Sequence, residues 1–165
     1  MFSSNRPTTP AEWKSAGRRI VPCKDKTPRI KDWSNPEKNI PEKEFRPDDN
    51  IGLILNQDTD WDIDNHNLKR FNEKYLKSCG AVYGRKSNPY SHYLFKESLE
   101  PFKYALPKEL ESYYKKFAHG ACLGEIRHGT GYQTIVPASV INNEKVEWHK
   151  FAGINTYDGD LEKDI

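Results

Sequence analysis

Apolar positions in this chain fall into short runs whose spacing changes from segment to segment. Thr9-Pro10-Ala11-Glu12 has the form of a helix start, with a capping Thr, Pro at the first helical position and a Glu able to close a capping box. That helix is expected to stop near Gly17. Residues 20–22 (IVP) read as a short strand leading into a basic, proline-broken loop from Lys24 to Trp33, and Pro36, Pro41 and Pro47 mark a long irregular stretch. The run 51–55 (IGLIL) has the length of a buried strand. After a turn over 56–59, alternation sends Trp61 and Ile63 to one face and Asp62 and Asp64 to the other.

Leu68, Phe71, Tyr75, Leu76 and Cys79 fall at helical spacing, with Gly80 placed to close that helix. Residues 92–95 predict a strand with His92 and Leu94 opposite Tyr93 and Phe95. Pro107 opens a second expected helix, with Leu110, Tyr113 or Tyr114, and Phe117 inward. Strands are expected over 123–127, over 132–136 after the turn at Gly129 and Gly131, and over 146–148. Mixed strands and helices at this density predict an α+β class, with mixed or antiparallel sheets flanked by helices.

Composition narrows the picture. The chain has 165 residues, enough for one domain, and a 35% hydrophobic fraction. Seven Phe, four Trp and nine Tyr lift it clear of the disordered class, because each aromatic ring buries a large area. No apolar run is long enough to cross a bilayer, and the first residues lack the apolar segment of a cleaved signal. The expectation is a soluble protein of the cytoplasm, without a membrane partner. Cys23, Cys79 and Cys122 are odd in number and widely spaced, which indicates neither a disulfide framework nor a zinc site.

Charge is distributed unevenly around a formal net value of +2. Residues 13–31 carry Lys14, Arg18, Arg19, Lys24, Lys26, Arg29 and Lys31 against Asp25 alone. Residues 47–65 reverse the sign with Asp48, Asp49, Asp58, Asp60, Asp62 and Asp64 and no Lys or Arg. Residues 69–86 are basic again. Six carboxylates so close together repel one another unless a cation or nearby bases offset them. A basic face beside an acidic patch can hold a polyanion and a divalent metal together, although solvated charge runs are the ordinary alternative.

Three segments could carry chemistry. Asp62 and Asp64 project from one strand face, so their oxygens can converge on a hard cation such as Mg²⁺ or Mn²⁺. Glu125 and Arg127 share a face of their own strand, as an ordinary salt-bridged surface pair also would. Arg85, Lys86, Ser87 and Ser91 precede His92 in a loop suited to phosphates, or to a plain exposed turn. His66, His119, His128 and His149 show no metal-ligand spacing.

Taken in order, "VPCKDKTPRIKDW", "NIGLIL", "WDIDN", "RKSNPYSHYLF", "GEIRHGTGYQTIVPAS" and "VEW" resemble the bifunctional DNA primase/polymerase (prim-pol) family of the archaeo-eukaryotic primase superfamily, over about residues 15 to 150. The resemblance implies a single catalytic domain over 1–165. Its N-terminal αβ part would cover about 8–50, and an RRM-like part with the metal and nucleotide site about 51–150, before a frayed tail from 155 onward. It implies that Asp62, Asp64 and Glu125 are catalytic ligands of two Mg²⁺ or Mn²⁺ ions, with no zinc. His92 would contact the nucleotide triphosphate, with Arg127, Arg85, Lys86, Ser91 and Ser87 as further phosphate contacts. Lys24, Lys26, Arg29, Lys31 and Gln133 would lie on the template side, and Pro137 and Ser139 match the downstream pattern. Many relatives have Ser or Gly two residues before the histidine, where this chain has Tyr90.

The implied function is template-directed nucleotidyl transfer, DNA primase and polymerase activity, as the catalytic core of a replication protein. Its partners would be a single-stranded DNA template with primer, dNTP or NTP, and a helicase or accessory domain in cis or trans. The setting would be the nucleoid, with a plasmid or virus as the encoding element. Two other classes stay open at this point: a metal-dependent nuclease, and a non-catalytic nucleic-acid-binding replication-initiator module.

Overall fold

The computed structural model describes residues 6–64, 76, 79–105 and 122–156. Helix α1 (Pro10–Ser15) begins as the sequence predicts. Thr9 accepts from the Glu12 backbone N–H, the Glu12 carboxylate accepts from the Thr9 N–H, and Pro10 stands in the first turn. Gly17, at φ +74°, follows its end. Trp13, the buried residue of α1, anchors the helix by donating its indole N–H to the Pro137 carbonyl at 3.3 Å.

Two main sheets and one small hairpin follow, all antiparallel. The first sheet has the order β2 (Thr27–Pro28), β1 (Ile20–Lys24), β3 (Asn50–Ile54), β9 (Gln133–Val136). The second has six strands in the order β12 (Glu147–Phe151), β5 (Ala81–Arg85), β6 (Asn88–Phe95), β4 (Thr59–Ile63), β8 (Cys122–Arg127), β7 (Phe102–Ala105). A hairpin pairs β10 (Val140–Ile141) with β11 (Glu144–Lys145), and one 3-10 turn covers Glu42–Glu44.

Sheet therefore dominates, and α1 is the one α-helix among the described residues. The α+β expectation, with helices flanking the sheets, is overturned. Its physical reason lies in the core. Ile20, Ile51, Leu53 and Val136 of the first sheet pack with Ala81, Tyr83 and Leu94 of the second, so sheet covers sheet where flanking helices were expected. Trp61, Ile63, Val82, Tyr93, Phe95 and Ile126 form a second cluster on the other face of the six-stranded sheet. Val21, Cys23, Ile40 and Ile54 form a third on the outer side of the first sheet. The expected helices over 68–79 and from Pro107 fall outside the described residues, apart from Leu76 and Cys79, both buried in the second cluster. No helix among the described residues is long and apolar enough to cross a membrane.

Local differences follow the same logic. Residues 24–28, expected as loop, form the β1–β2 hairpin, with Asp25 at φ +52° in its turn. The segment expected as a phosphate-binding loop before His92 is mostly strand: β5 and β6 form a hairpin around Lys86 and Ser87. β4 begins at Thr59, two residues before the predicted start, and this brings Asp60 into the ladder.

Candidate metal and nucleotide site

The site grows from the register of three strands. Asp62 of β4 is directly opposite His92 of β6 on one side and Glu125 of β8 on the other. Opposite residues in a ladder share a face, so His92, Asp62 and Glu125 form one row across the sheet. Tyr83 extends this row beyond His92, and Lys103 extends it beyond Glu125. The neighbouring row holds Leu94, Asp60 and Arg127. Trp61 and Ile63 point the other way, into the apolar cluster, which fixes the carboxylate face toward the first sheet.

Asp60 is the centre of charge. Its carboxylate is wholly buried and lies 2.5 Å from Arg127 Nη2 and 3.0 Å from His92 Nδ1. A carboxylate only accepts, so His92 donates from Nδ1, leaving Nε2 on the Asp62 side, 3.6 Å from Oδ1. Burial alone would raise the Asp60 carboxyl, but the charges of His92 and Arg127 outweigh it and hold its pKa at about 2. Burial likewise pulls the His92 imidazole down, and Asp62 and Asp60 together raise it above its ordinary value. The Tyr83 ring stacks on His92 at 4.6 Å between centroids, and its hydroxyl lies 2.9 Å from Thr134 Oγ1. Arg127 also donates to Thr134 Oγ1 at 2.9 Å and lies 3.2 Å from Asp62 Oδ2.

Asp60, Asp62 and His92 could hold a metal ion, because each offers one ligand atom and these lie within 4.8 Å of one another. This set differs from the expected Asp62, Asp64 and Glu125. Glu125 stands beside it in the same row, quarter-exposed like Asp62, with Lys103 Nζ at 3.9 Å. Asp64 is exposed just past the end of β4, its N–H donating to the Leu123 carbonyl at 3.1 Å.

The remaining expected residues divide. Asp62, Asp64, Arg85, Ser91, His92 and Arg127 line a common cleft between the two sheets, joined by Lys26 from the β1–β2 hairpin and by Gln133. The hairpin tip is pinned there: Gln133 Nε2 donates to the Lys26 carbonyl at 2.8 Å and Asn50 Nδ2 to the Asp25 carbonyl at 3.0 Å. Ser87 is engaged elsewhere, its N–H and hydroxyl donating to the Glu144 carboxylate, which Arg85 also approaches at 3.6 Å. Lys86 is exposed beside that carboxylate. Arg29 is committed to Asp49 and the Glu44 carbonyl, while Lys24 and Lys31 are exposed. His128 donates from Nδ1 to the Asp58 carbonyl at 2.9 Å, and His149 stacks on Tyr90. Ser139 is buried, and its Oγ accepts the Ile51 N–H at 2.9 Å, a contact with the first sheet. His66 and His119 lie outside the described residues.

Sequence reading missed Asp60, Tyr83 and Thr134. For Asp60 a signal existed, since the alternation of Asp62 and Asp64 continues back by one more pair of positions. Tyr83 and Thr134 come from strands whose pairing no local pattern specifies. Comparisons with known proteins add no relative: no protein-family model, no curated protein and no solved structure matches this chain.

Proposed function

We propose that this chain is a template-directed nucleotidyltransferase, a DNA primase and polymerase of the kind its motif order resembles. One observation carries the reading: His92, Asp62 and Glu125 occupy a single cross-strand row that opens on a cleft lined by Arg127, Arg85 and Lys26. Nucleotidyl transfer needs carboxylates for divalent ions and a cationic wall for the polyphosphate, in one place.

The donor set suits such ions. Asp62 and Glu125 are partly exposed carboxylates directly opposite each other, a repulsive pair that a hard cation offsets, and Asp64 lies next along the face. Asp62, Asp64 and Glu125 would hold Mg²⁺ or Mn²⁺, with Asp60 and His92 adjoining. Such ions supply charge neutralisation at the attacking and leaving oxygens. The chain's own residues do the rest. His92, fixed by Asp60 and the Tyr83 ring, presents Nε2 to the cleft as a phosphate donor. Arg127, held between Asp60 and Thr134, and Arg85 add positive charge along the same wall. Lys26 approaches from the opposite sheet, which favours a nucleotide contact over the template role that the motif order implied for it.

The test is extension of a labelled primer on a single-stranded template, with dNTP or NTP and Mn²⁺ or Mg²⁺. The wild-type chain extends the primer, and Asp62→Ala abolishes extension while leaving its melting temperature within a few degrees. Synthesis retained by Asp62→Ala would refute the reading. Primer shortening without added nucleotide would identify a nuclease instead.

A further inference from the structure

A second set of positive charges lies where α1 meets the start of β1. Lys14, Arg18, Arg19 and Lys38 line a pocket of about 200 Å³ beside Ile40 and Ile54, far larger than the ~15 Å³ that admits one water. It shares no lining residue with the cleft. Arg18 is neutralised by Asp58, through Nε at 2.6 Å and Nη2 at 3.2 Å. The other three cations are not. Arg19 Nη2 donates to the carbonyls of Asn35 at 2.9 Å and Lys38 at 3.3 Å, and Lys14 Nζ to that of Ile40. No carboxylate among the described residues forms an ion pair with Lys14, Arg19 or Lys38.

Carbonyl groups orient Lys14 and Arg19 without cancelling their charge. Arg19 Nη1 is moreover buried with no acceptor. Like charges gathered in one concavity raise one another's energy, and an anion relieves all of them at once. With Nη2 engaged by two carbonyls, Arg19 offers a phosphate its Nη1 donors, while lysines act as point charges around it.

We propose that this pocket binds a phosphate group, with Arg19 as the oriented donor and Lys14 and Lys38 as the flanking charges. The phosphate belongs to a nucleic-acid strand or is free in solution, and the chemistry of recognition is the same. The proposal rests on the charge arrangement alone, so a chain without nucleotidyl transfer would keep the site.

Full-length wild type, Lys14→Gln/Lys38→Gln and Lys38→Glu are compared with three probes. These are a 3′-labelled single strand with a 5′-phosphate, the same strand with a 5′-hydroxyl, and inorganic phosphate followed by calorimetry. Lys38→Glu keeps the comparison available if the double variant is unstable, since the Lys38 ammonium has no protein partner among the described residues. For a strand held here, both variants bind several-fold more weakly. The slope of log affinity against log salt flattens by about 0.7, the value for one phosphate of a single strand. Loss confined to the phosphorylated strand identifies a terminal phosphate, equal loss on both strands an internal one, and loss of inorganic phosphate alone a free ligand. Unchanged binding of all three probes by a folded variant overturns the proposal.

Discussion

Asp60 and Asp62 are two positions apart on one face of β4, yet they stand in different electrostatic settings. Asp60 is fully enclosed and shared between Arg127 and His92, whereas Asp62 is about a quarter exposed and faces Glu125 across the ladder. Removing one member of a buried ion cluster leaves its partners as uncompensated charge. Asp60→Asn is therefore expected to cost about 3 kcal/mol, read from the urea midpoint at constant slope. Asp62→Asn loses a partial contact with Arg127 but also relieves repulsion with Glu125, so its cost stays below about 1 kcal/mol. Equal losses at the two positions would contradict this division of roles. The thiols of Cys23 and Cys79 belong to the core: burial raises each to about 12, leaving them protonated and unreactive at neutral pH.

At the scale of elements, the β5–β6 hairpin shapes the cleft wall. The ladder pairs Tyr83 with His92 and Arg85 with Asn88, so Gly84 alone faces the three residues 89–91. This irregularity places Tyr90 at φ +52° and leaves Ser91 buried in the cleft lining. Gly84 permits it, because a Cβ there would lie 2.5 Å from the Asn88 carbonyl oxygen and 2.9 Å from the Tyr90 nitrogen. Both obstacles are backbone, which cannot swing aside as a side chain can. Gly84→Ala is expected to destabilise by about 2 kcal/mol and to lower the melting temperature by roughly 4–8 °C. In the proposed nucleotidyl transfer it should also raise KM for nucleotide more than it lowers kcat, since the carboxylate row on β4 and β8 is untouched. A melting temperature equal to wild type would show that the irregularity does not depend on this glycine.

For the molecule as a whole, the buried charges set how stability varies with pH. The His92 pKa is raised on folding, so its contribution is complete below the ordinary value near 6.5 and fades as pH climbs through the folded-state value. The Asp60 pKa is lowered, so its contribution is present above about 3.8 and disappears as pH falls toward about 2. Asp58 acts in the opposite sense, because burial raises its carboxyl despite Arg18. Stability from the Asp60–His92 pair should thus be greatest between about pH 4 and 6.5. Thermal melts across pH should show a decline on the alkaline side that His92→Gln flattens. A variant with the same alkaline decline as wild type would separate His92 from it.

Short-range pattern determined much of this chain directly. The capping box at Thr9 and Glu12, the buried run ending at Leu55, and the alternation that put Asp62 opposite in sense to Trp61 and Ile63 are all consequences of backbone geometry within a few residues. Pairing was another matter. That Glu125 and His92 flank the same aspartate, that Arg127 turns to Asp60, and that β9 closes the cleft with Thr134 and Gln133 depend on contacts between residues far apart in sequence, whose order no local periodicity encodes. The class was misjudged for the same reason: each short apolar strand is compatible with a helix or a sheet as its cover, and only the packing of Tyr83 and Leu94 against Leu53 and Val136 decided for a sheet.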